Sequence, residues 1–93
     1  MKISDFKIGD SVKLLVNIDT TKISTLKAGT VGTVCCFFKI SEGFVLIGVD
    51  FHRTLPGLHD IGKKLKINSG YLCKPEQLIH VNKILKIKEW LLQ

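Results

Sequence analysis

Apolar and polar positions alternate in three successive segments of the chain. Residues 11 to 18, SVKLLVNI, place Val12, Leu14, Val16 and Ile18 on one face, with Leu15 the single apolar residue on the other. Residues 29 to 40, GTVGTVCCFFKI, open on Gly29 and Gly32 and then alternate through Val34, Cys36, Phe38 and Ile40. Residues 44 to 51, FVLIGVDF, alternate through Val45, Ile47, Val49 and Phe51. A period of two is that of a half-buried strand, whose side chains point in turn to the two faces of a sheet. Helical bundles do not produce it. The SEG link at 41 to 43 predicts a hairpin between the second and third segments. The glycine pair suits a bend or bulge where a barrel strand turns a corner. Gly48 leaves one face of its strand without a side chain, so a backbone or a ligand can approach there.

The remaining segments are read by their punctuation. Residues 19 to 28, DTTKISTLKA, are polar and threonine-rich and are expected to form a long loop. Residues 52 to 69 have no clean period and carry Pro56, Gly57, Gly62, Asn68 and Ser69, so they too are expected to be a loop. Tyr71, Leu72 and Cys73 predict a short strand, Lys74-Pro75-Glu76 a turn, and residues 77 to 81, QLIHV, a last strand or a single helical turn followed by one. From Asn82 the pattern changes. Ile84, Leu85, Ile87, Leu91 and Leu92 cluster at helical spacing behind a capping asparagine, which predicts a short C-terminal helix over about 82–92. Its apolar stripe would lie on the barrel or on a second subunit. The expected architecture is mainly β: a small five-stranded, partly open barrel over about residues 6–81 followed by that helix, all in one domain, 1–93.

Composition narrows the possible functions. The chain has 93 residues, 45% hydrophobic and 24% charged, which is a globular composition. Its 14 basic residues against 8 acidic give a net charge of +6. Only Arg53 among them is an arginine, so bidentate, sequence-specific base reading is disfavoured relative to non-specific phosphate contact. A DNA mimic is excluded, because it would be acidic. Three cysteines, two of them adjacent (Cys35 and Cys36, with Cys73), do not suit a disulfide framework and point to a reduced, cytoplasmic setting. The N-terminus has no apolar signal-like region, and no apolar run is long enough to span a bilayer.

Short motifs add a resemblance. Gly9-Asp10, Val12 and Gly29-x-x-Gly32-x-Val34 resemble the KOW pattern of small barrels in ribosome- and transcription-associated proteins. Gly32-Thr33-Val34, Gly48-Val49, a glycine-bearing loop and Gly70-Tyr71-Leu72-Cys73-Lys74-Pro75 resemble the CAP-Gly family in the same order. Both families share the barrel of Src-homology-3 (SH3) domains, so the resemblance, over about residues 6 to 81, implies an SH3-like fold. CAP-Gly domains hold an acidic C-terminal peptide with a GKNDG loop. Here the corresponding stretch is GLHDIG, residues 57 to 62, in which only Gly57 and Asp60 match, so that function does not transfer. The GVxF…GxHD…G order is also similar to small barrels of uncharacterised bacteriophage and mobile-element proteins.

Candidate chemistry concentrates in GVDFHRTLPGLHDIG, residues 48 to 62, and in the residues just after it. His52, His59, Asp60, Cys73 and His80 are ligand types, but no pair has the close spacing a zinc site uses, so no metal is expected. Cys35 and Cys36 should point to opposite faces of their strand. A nucleophile–base pair drawn from Cys35 or Cys73 with His59 and Asp60 would need a pocket, which a barrel this small fills with side chains; an enzyme is not expected, and no cofactor is implied. Arg53, His59, Lys63, Lys64 and Lys66 beside Tyr71 suit a face that tracks a phosphate backbone while a base stacks, with Phe37 as a second platform if it faces outward. The same lysines also suit a merely solvated loop. Asp60 is expected to cap a turn through its carboxylate. Leu85, Trp90, Leu91 and Leu92 form a candidate interface on the helix. The expected function is a non-enzymatic basic binding module whose first candidate partner is nucleic acid. The alternative is a protein-interaction module, or a phage-type inhibitor or adaptor docking on an acidic host surface. The protein is expected to be a monomer or a homodimer through the helix, with no membrane association.

Overall fold

The structure, a computed structural model, describes residues 2–81. The predicted C-terminal helix, with Leu85, Trp90, Leu91 and Leu92, lies outside the described residues. Seven strands follow a short 3-10 turn at Ile3–Asp5: β1 (Ser11–Leu14), β2 (Ile18–Thr21), β3 (Ser24–Leu26), β4 (Val31–Ser41), β5 (Phe44–Asp50), β6 (Gly70–Cys73) and β7 (Leu78–His80). A second 3-10 turn, Pro75–Gln77, separates β6 from β7. The protein is mainly β.

Five strands form one antiparallel sheet in the order β6-β5-β4-β1-β7, and β2 and β3 form a separate hairpin. The five are those that alternation and punctuation predict. The chain meanders from β1 to β4, β5 and β6, and β7 then returns to the far side of β1, pairing Leu78 with Leu14 and His80 with Val12. Among the described residues no ladder joins β6 to β7, so the sheet is open. The core is the inward face of these strands: Val12, Leu14, Val34, Ile47, Val49, Cys73 and Leu78, with Ile18 and Leu26 from the hairpin and Phe51 and Leu58 from the loop after β5. Phe6 closes one side, its ring stacked on that of His80 at 5.0 Å. The His80 ring also donates from Nε2 to the Asp5 carbonyl at 2.6 Å, tying the N-terminal turn to the last strand.

Four expectations are corrected. The first predicted strand stops at Leu14, and Leu15 and Val16 lie exposed in a bend. There Leu15 N–H donates to the Gln77 carbonyl at 2.8 Å, and Ala28 N–H donates to Asn17 Oδ1 at 2.7 Å, so the chain leaves the β1 ladder before Val16 can turn inward. The predicted loop 19 to 28 instead contains the β2–β3 hairpin. Its alternation is hard to read because only Ile18 and Leu26, one on each strand, are buried, while Ile23 stands 90% exposed at the tip. Phe38 and Ile40 do not reach the core. β4 has 11 residues and runs past β1 with only β5 beside it, and a register step at Cys35 sets Phe38 opposite Leu46, on the face away from core Ile47 and Val49; Phe38 and Ile40 stand at 43% and 52% exposure.

Fourth, Cys35 and Cys36 do not point apart. Val34 pairs with Val49 and Cys36 with Gly48, leaving Cys35 as the extra residue of a β-bulge. A bulge cancels one step of the pleat. The two sulfurs therefore lie 3.6 Å apart, and Cys35 Sγ also lies 3.3 Å from the Gly48 carbonyl oxygen.

Candidate functional site

The loop from 52 to 69 is closed at its base by one carboxylate. At the end of β5, Asp50 Oδ1 accepts from His52 N–H at 2.9 Å and from the Ser69 hydroxyl at 2.6 Å, so the same oxygen holds the first and last turns of the loop. Phe51 N–H donates to the Ser69 carbonyl at 2.9 Å. Ser69 is buried, and its hydroxyl is satisfied by this bond, as a buried polar group must be. His52 takes a positive φ of 57° and brings Nε2 within 2.9 Å of Thr33 Oγ1. Sequence reasoning passes over Asp50. Its only signal there is an acidic residue closing an apolar strand.

The middle of the loop is pinned to the sheet by Ile61. His59 and Gly70 form an isolated antiparallel bridge, exchanging backbone bonds of 2.9 and 2.8 Å. Just beyond it Ile61 is buried, its side chain lying over the bare backbone of Gly48 in β5 and Gly70 in β6. A Cβ at Gly70 would come within 2.5 Å of Ile61 Cδ1, and one at Gly48 within 3.2 Å. The opening at Gly48 that the sequence suggests is thus taken by a side chain of the same chain.

The backbone around Ile61 is strained. Ile61, Gly62 and Lys63 have φ of 51°, 62° and 70°, three left-handed residues in a row with one glycine among them. Left-handed geometry costs an L-residue about 1–2 kcal/mol, and a β-branched residue suffers most. The run is held by the buried Ile61 side chain and by two backbone bonds, Leu65 N–H to the Asp60 carbonyl at 3.0 Å and Lys64 N–H to the Ile61 carbonyl at 3.3 Å. The side-chain cap here is not Asp60. Ile61 N–H donates to His59 Nδ1 at 3.1 Å, which leaves the proton of the neutral ring on Nε2.

The predicted site residues divide into two groups. Lys63, Lys64 and Lys66 are exposed on or next to the strained turn. His59 and Tyr71 are half-buried beside it, their rings 6.1 Å apart and tilted by 46°. Arg53 lies elsewhere, in a shallow groove of about 290 Å³ with Thr25, Leu26, Lys27, Thr30 and Leu55. Phe37 sits opposite the core residue Ile47, so it lies on the core-facing side of the sheet, 36% exposed where β4 runs past β1, and does not form an outward platform. A concavity of about 640 Å³ runs along Thr54, Leu55, Pro56, Gly57, Leu58, Ile67 and Asn68, and none of the three lysines lines it. Its rim is fastened to the β2–β3 hairpin: the Thr20 hydroxyl donates to the Pro56 carbonyl at 2.6 Å, and Gly57, at φ 91°, packs its backbone directly on that of Thr20. Lys27 and the Thr20 anchor escape sequence reasoning because both sit in the segment that reads as a loop.

The thiols of Cys35 and Cys73 are chemically quiet. Burial pushes Cys73 up to about 12 from an ordinary 9.0. Cys35 is also raised to about 12, by burial first and then by the adjacent Cys36 and the Asp50 carboxylate. A nucleophilic cysteine needs the opposite shift. Among the described residues, no three His, Cys, Asp or Glu side chains gather where they could hold a metal ion, and no helix is long and apolar enough to cross a membrane. Comparison of the chain with protein-family models, with curated proteins and with solved structures finds no match.

Proposed function

We propose that the protein is a small non-enzymatic binding module that holds a nucleic-acid backbone, without sequence specificity, on Lys63, Lys64 and Lys66. The observation that carries this reading is the left-handed run at 61 to 63. A backbone conformation this costly persists only where the surroundings impose it, and such conformations concentrate at binding and switch sites. Its product is a rigid turn, stapled by Ile61, that presents cations outward. Holding the lysines in place before binding lowers the ordering cost of each phosphate contact. The net charge of +6 supplies long-range attraction, and Tyr71 beside His59 offers an edge against which a base can pack. The strand order, the 3-10 turn before β7 and the return of β7 to β1 support the SH3-like barrel that the KOW and CAP-Gly resemblance implies.

A specific observation favours a second reading, a protein-interaction module of the inhibitor or adaptor kind, including a phage-type protein acting on a host. The two grooves meet at Leu55, and together they offer apolar Leu55, Leu58 and exposed Ile67 beside Arg53 and Lys27. That combination fits an extended acidic peptide. Fluorescence anisotropy with random single- and double-stranded nucleic acid across a salt series separates the readings. Phosphate binding gives a linear log–log salt dependence, and each phosphate that is no longer neutralised lowers the slope by about 0.9 on duplex or about 0.7 on single strands. Lys63→Ala with Lys64→Ala should flatten the slope by one to two such steps, whereas Lys7→Ala with Lys22→Ala should not. Absence of binding at low salt, or equal loss from both pairs, overturns the proposal in favour of the groove.

A further inference from the structure

Among the described residues the distal half of β4 is an open edge with a two-fold fit to itself, and we infer that two copies of the chain pair there, antiparallel, about Phe38. β1 covers β4 only at Val31, Gly32 and Thr33. Val34 is taken by Gly9 and Asp10 through bonds of 2.8 and 2.9 Å, so its backbone groups point away from β5. Beyond the Cys35 bulge the ladder runs Cys36↔Gly48, Phe37↔Ile47, Phe38↔Leu46, Lys39↔Val45. In an antiparallel ladder, bonded and non-bonded pairs alternate. Since Val34 faces outward, Cys36 and Phe38 bond to β5, and Phe37 and Lys39 direct their N–H and C=O groups to the open side. Among the described residues nothing pairs with them.

The side chains fit the same partner. Placing a second β4 antiparallel, with Phe38 on the axis, sets Phe37 against Lys39 of the other copy and repeats that pair on the opposite side of the axis. Four ladder hydrogen bonds form. The two Phe38 side chains meet as a non-hydrogen-bonded aromatic pair, the closer of the two antiparallel pair types. Each Lys39 meets a phenylalanine, not a lysine, so no like charges oppose each other. Natural sheets blunt exposed edges with charge, proline or bulges. This stretch instead carries Phe37, Phe38, Ile40 and Phe44 at 36%, 43%, 52% and 44% exposure, with Lys39 already engaged by Glu42 at 3.2 Å. Taking a buried aromatic side chain as about 200 Å², these four remove at most about 700 Å² in all from two copies before edge backbone is counted, short of the roughly 1,200 Å² at which stable specific interfaces begin. The dimer is therefore weak and transient.

Sedimentation equilibrium from about 5 to about 500 µM covers the concentrations at which a weak, transient dimer forms. The expected result is a reversible monomer–dimer equilibrium that tightens with added salt, because each copy carries +6, whereas binding to nucleic acid weakens with salt. The two proposals thus fail separately. Phe38→Lys places like charges on the axis, and Lys39→Pro removes an outward N–H without touching the β5 ladder. Each should weaken dimerisation at least tenfold while leaving the thermal midpoint of dilute protein unchanged, since both residues are on the exposed edge. A wild-type chain that stays monomeric throughout, or a dimer indifferent to both substitutions and so formed through another surface, overturns the inference.

Discussion

Ile61→Ala tests the staple on which the lysine turn depends. Ile61 is 2% exposed, so the substitution removes three buried carbons and leaves a cavity above Gly48 and Gly70. Such truncations cost about 2–5 kcal/mol. Part is returned, because alanine at φ 51° is less strained than a β-branched residue, a relief of up to about 1 kcal/mol. The net expectation is a loss of about 2–3 kcal/mol. For 93 residues the entropy of unfolding is about 0.2 kcal/mol/K, so the thermal midpoint should fall by about 10–15 °C. Gly70→Ala attacks the same contact from the other side. Its methyl would lie 2.5 Å from Ile61 Cδ1, 2.6 Å from Leu65 Cδ1 and 2.7 Å from Ile61 Cγ1, an overpacking worth about 1–3 kcal/mol. The double variant removes two of those three clashes and fills part of the cavity. Its cost should fall short of the sum of the single costs by about 1 kcal/mol or more. Urea denaturation followed by far-UV circular dichroism measures all three. Costs that add to within about 0.5 kcal/mol, or an Ile61→Ala cost below that, would refute the interlock and with it the claim that packing holds the strained turn.

Three other outcomes are expected. Asp50→Ala removes the carboxylate that accepts from both ends of the 52 to 69 loop, and should cost about 2 kcal/mol and speed limited proteolysis within the loop, while Asp50→Asn should retain most of the stability. Gly57→Ala forces a side chain into a φ of 91° against the Thr20 backbone, and should cost about 2 kcal/mol in a chemical denaturation series, with Thr20→Val costing about 1. The raised thiols make stability pH-dependent at the alkaline end: above an ordinary 9.0 the unfolded chain releases protons that folded Cys73 and Cys35 keep until about 12, so their contribution is whole below about pH 9 and is lost as pH rises towards 12. Urea midpoints should fall between about pH 8 and about pH 11, and Cys73→Val should flatten part of that fall; an unchanged profile would count against a buried neutral thiol.

Local pattern determined much of this protein. Alternation at Val12 and Leu14, at Val34 and Cys36, and at Ile47, Val49 and Phe51 located three strands of the sheet, because a strand with one buried face must repeat every two residues. Proline and glycine marked the turn at Pro75–Gln77 and the edges of the 52 to 69 loop, and the exposed lysines were legible as charge. What the sequence could not decide depended on partners distant in the chain. Whether Phe38 is core or surface depends on the register step at Cys35, which turns it to the face of Leu46, not on its own period. Whether Cys35 and Cys36 diverge or meet depends on a register step that Val49 and Gly48 set from the opposite strand. Nothing near Ile61 announces a left-handed isoleucine; only the bare backbones of Gly48 and Gly70, brought together by the β5–β6 ladder, make room for its side chain and hold it there. Periodicity reports which face of an element is apolar. Tertiary packing alone decides what meets that face, where it ends, and which strained turn the contact can hold.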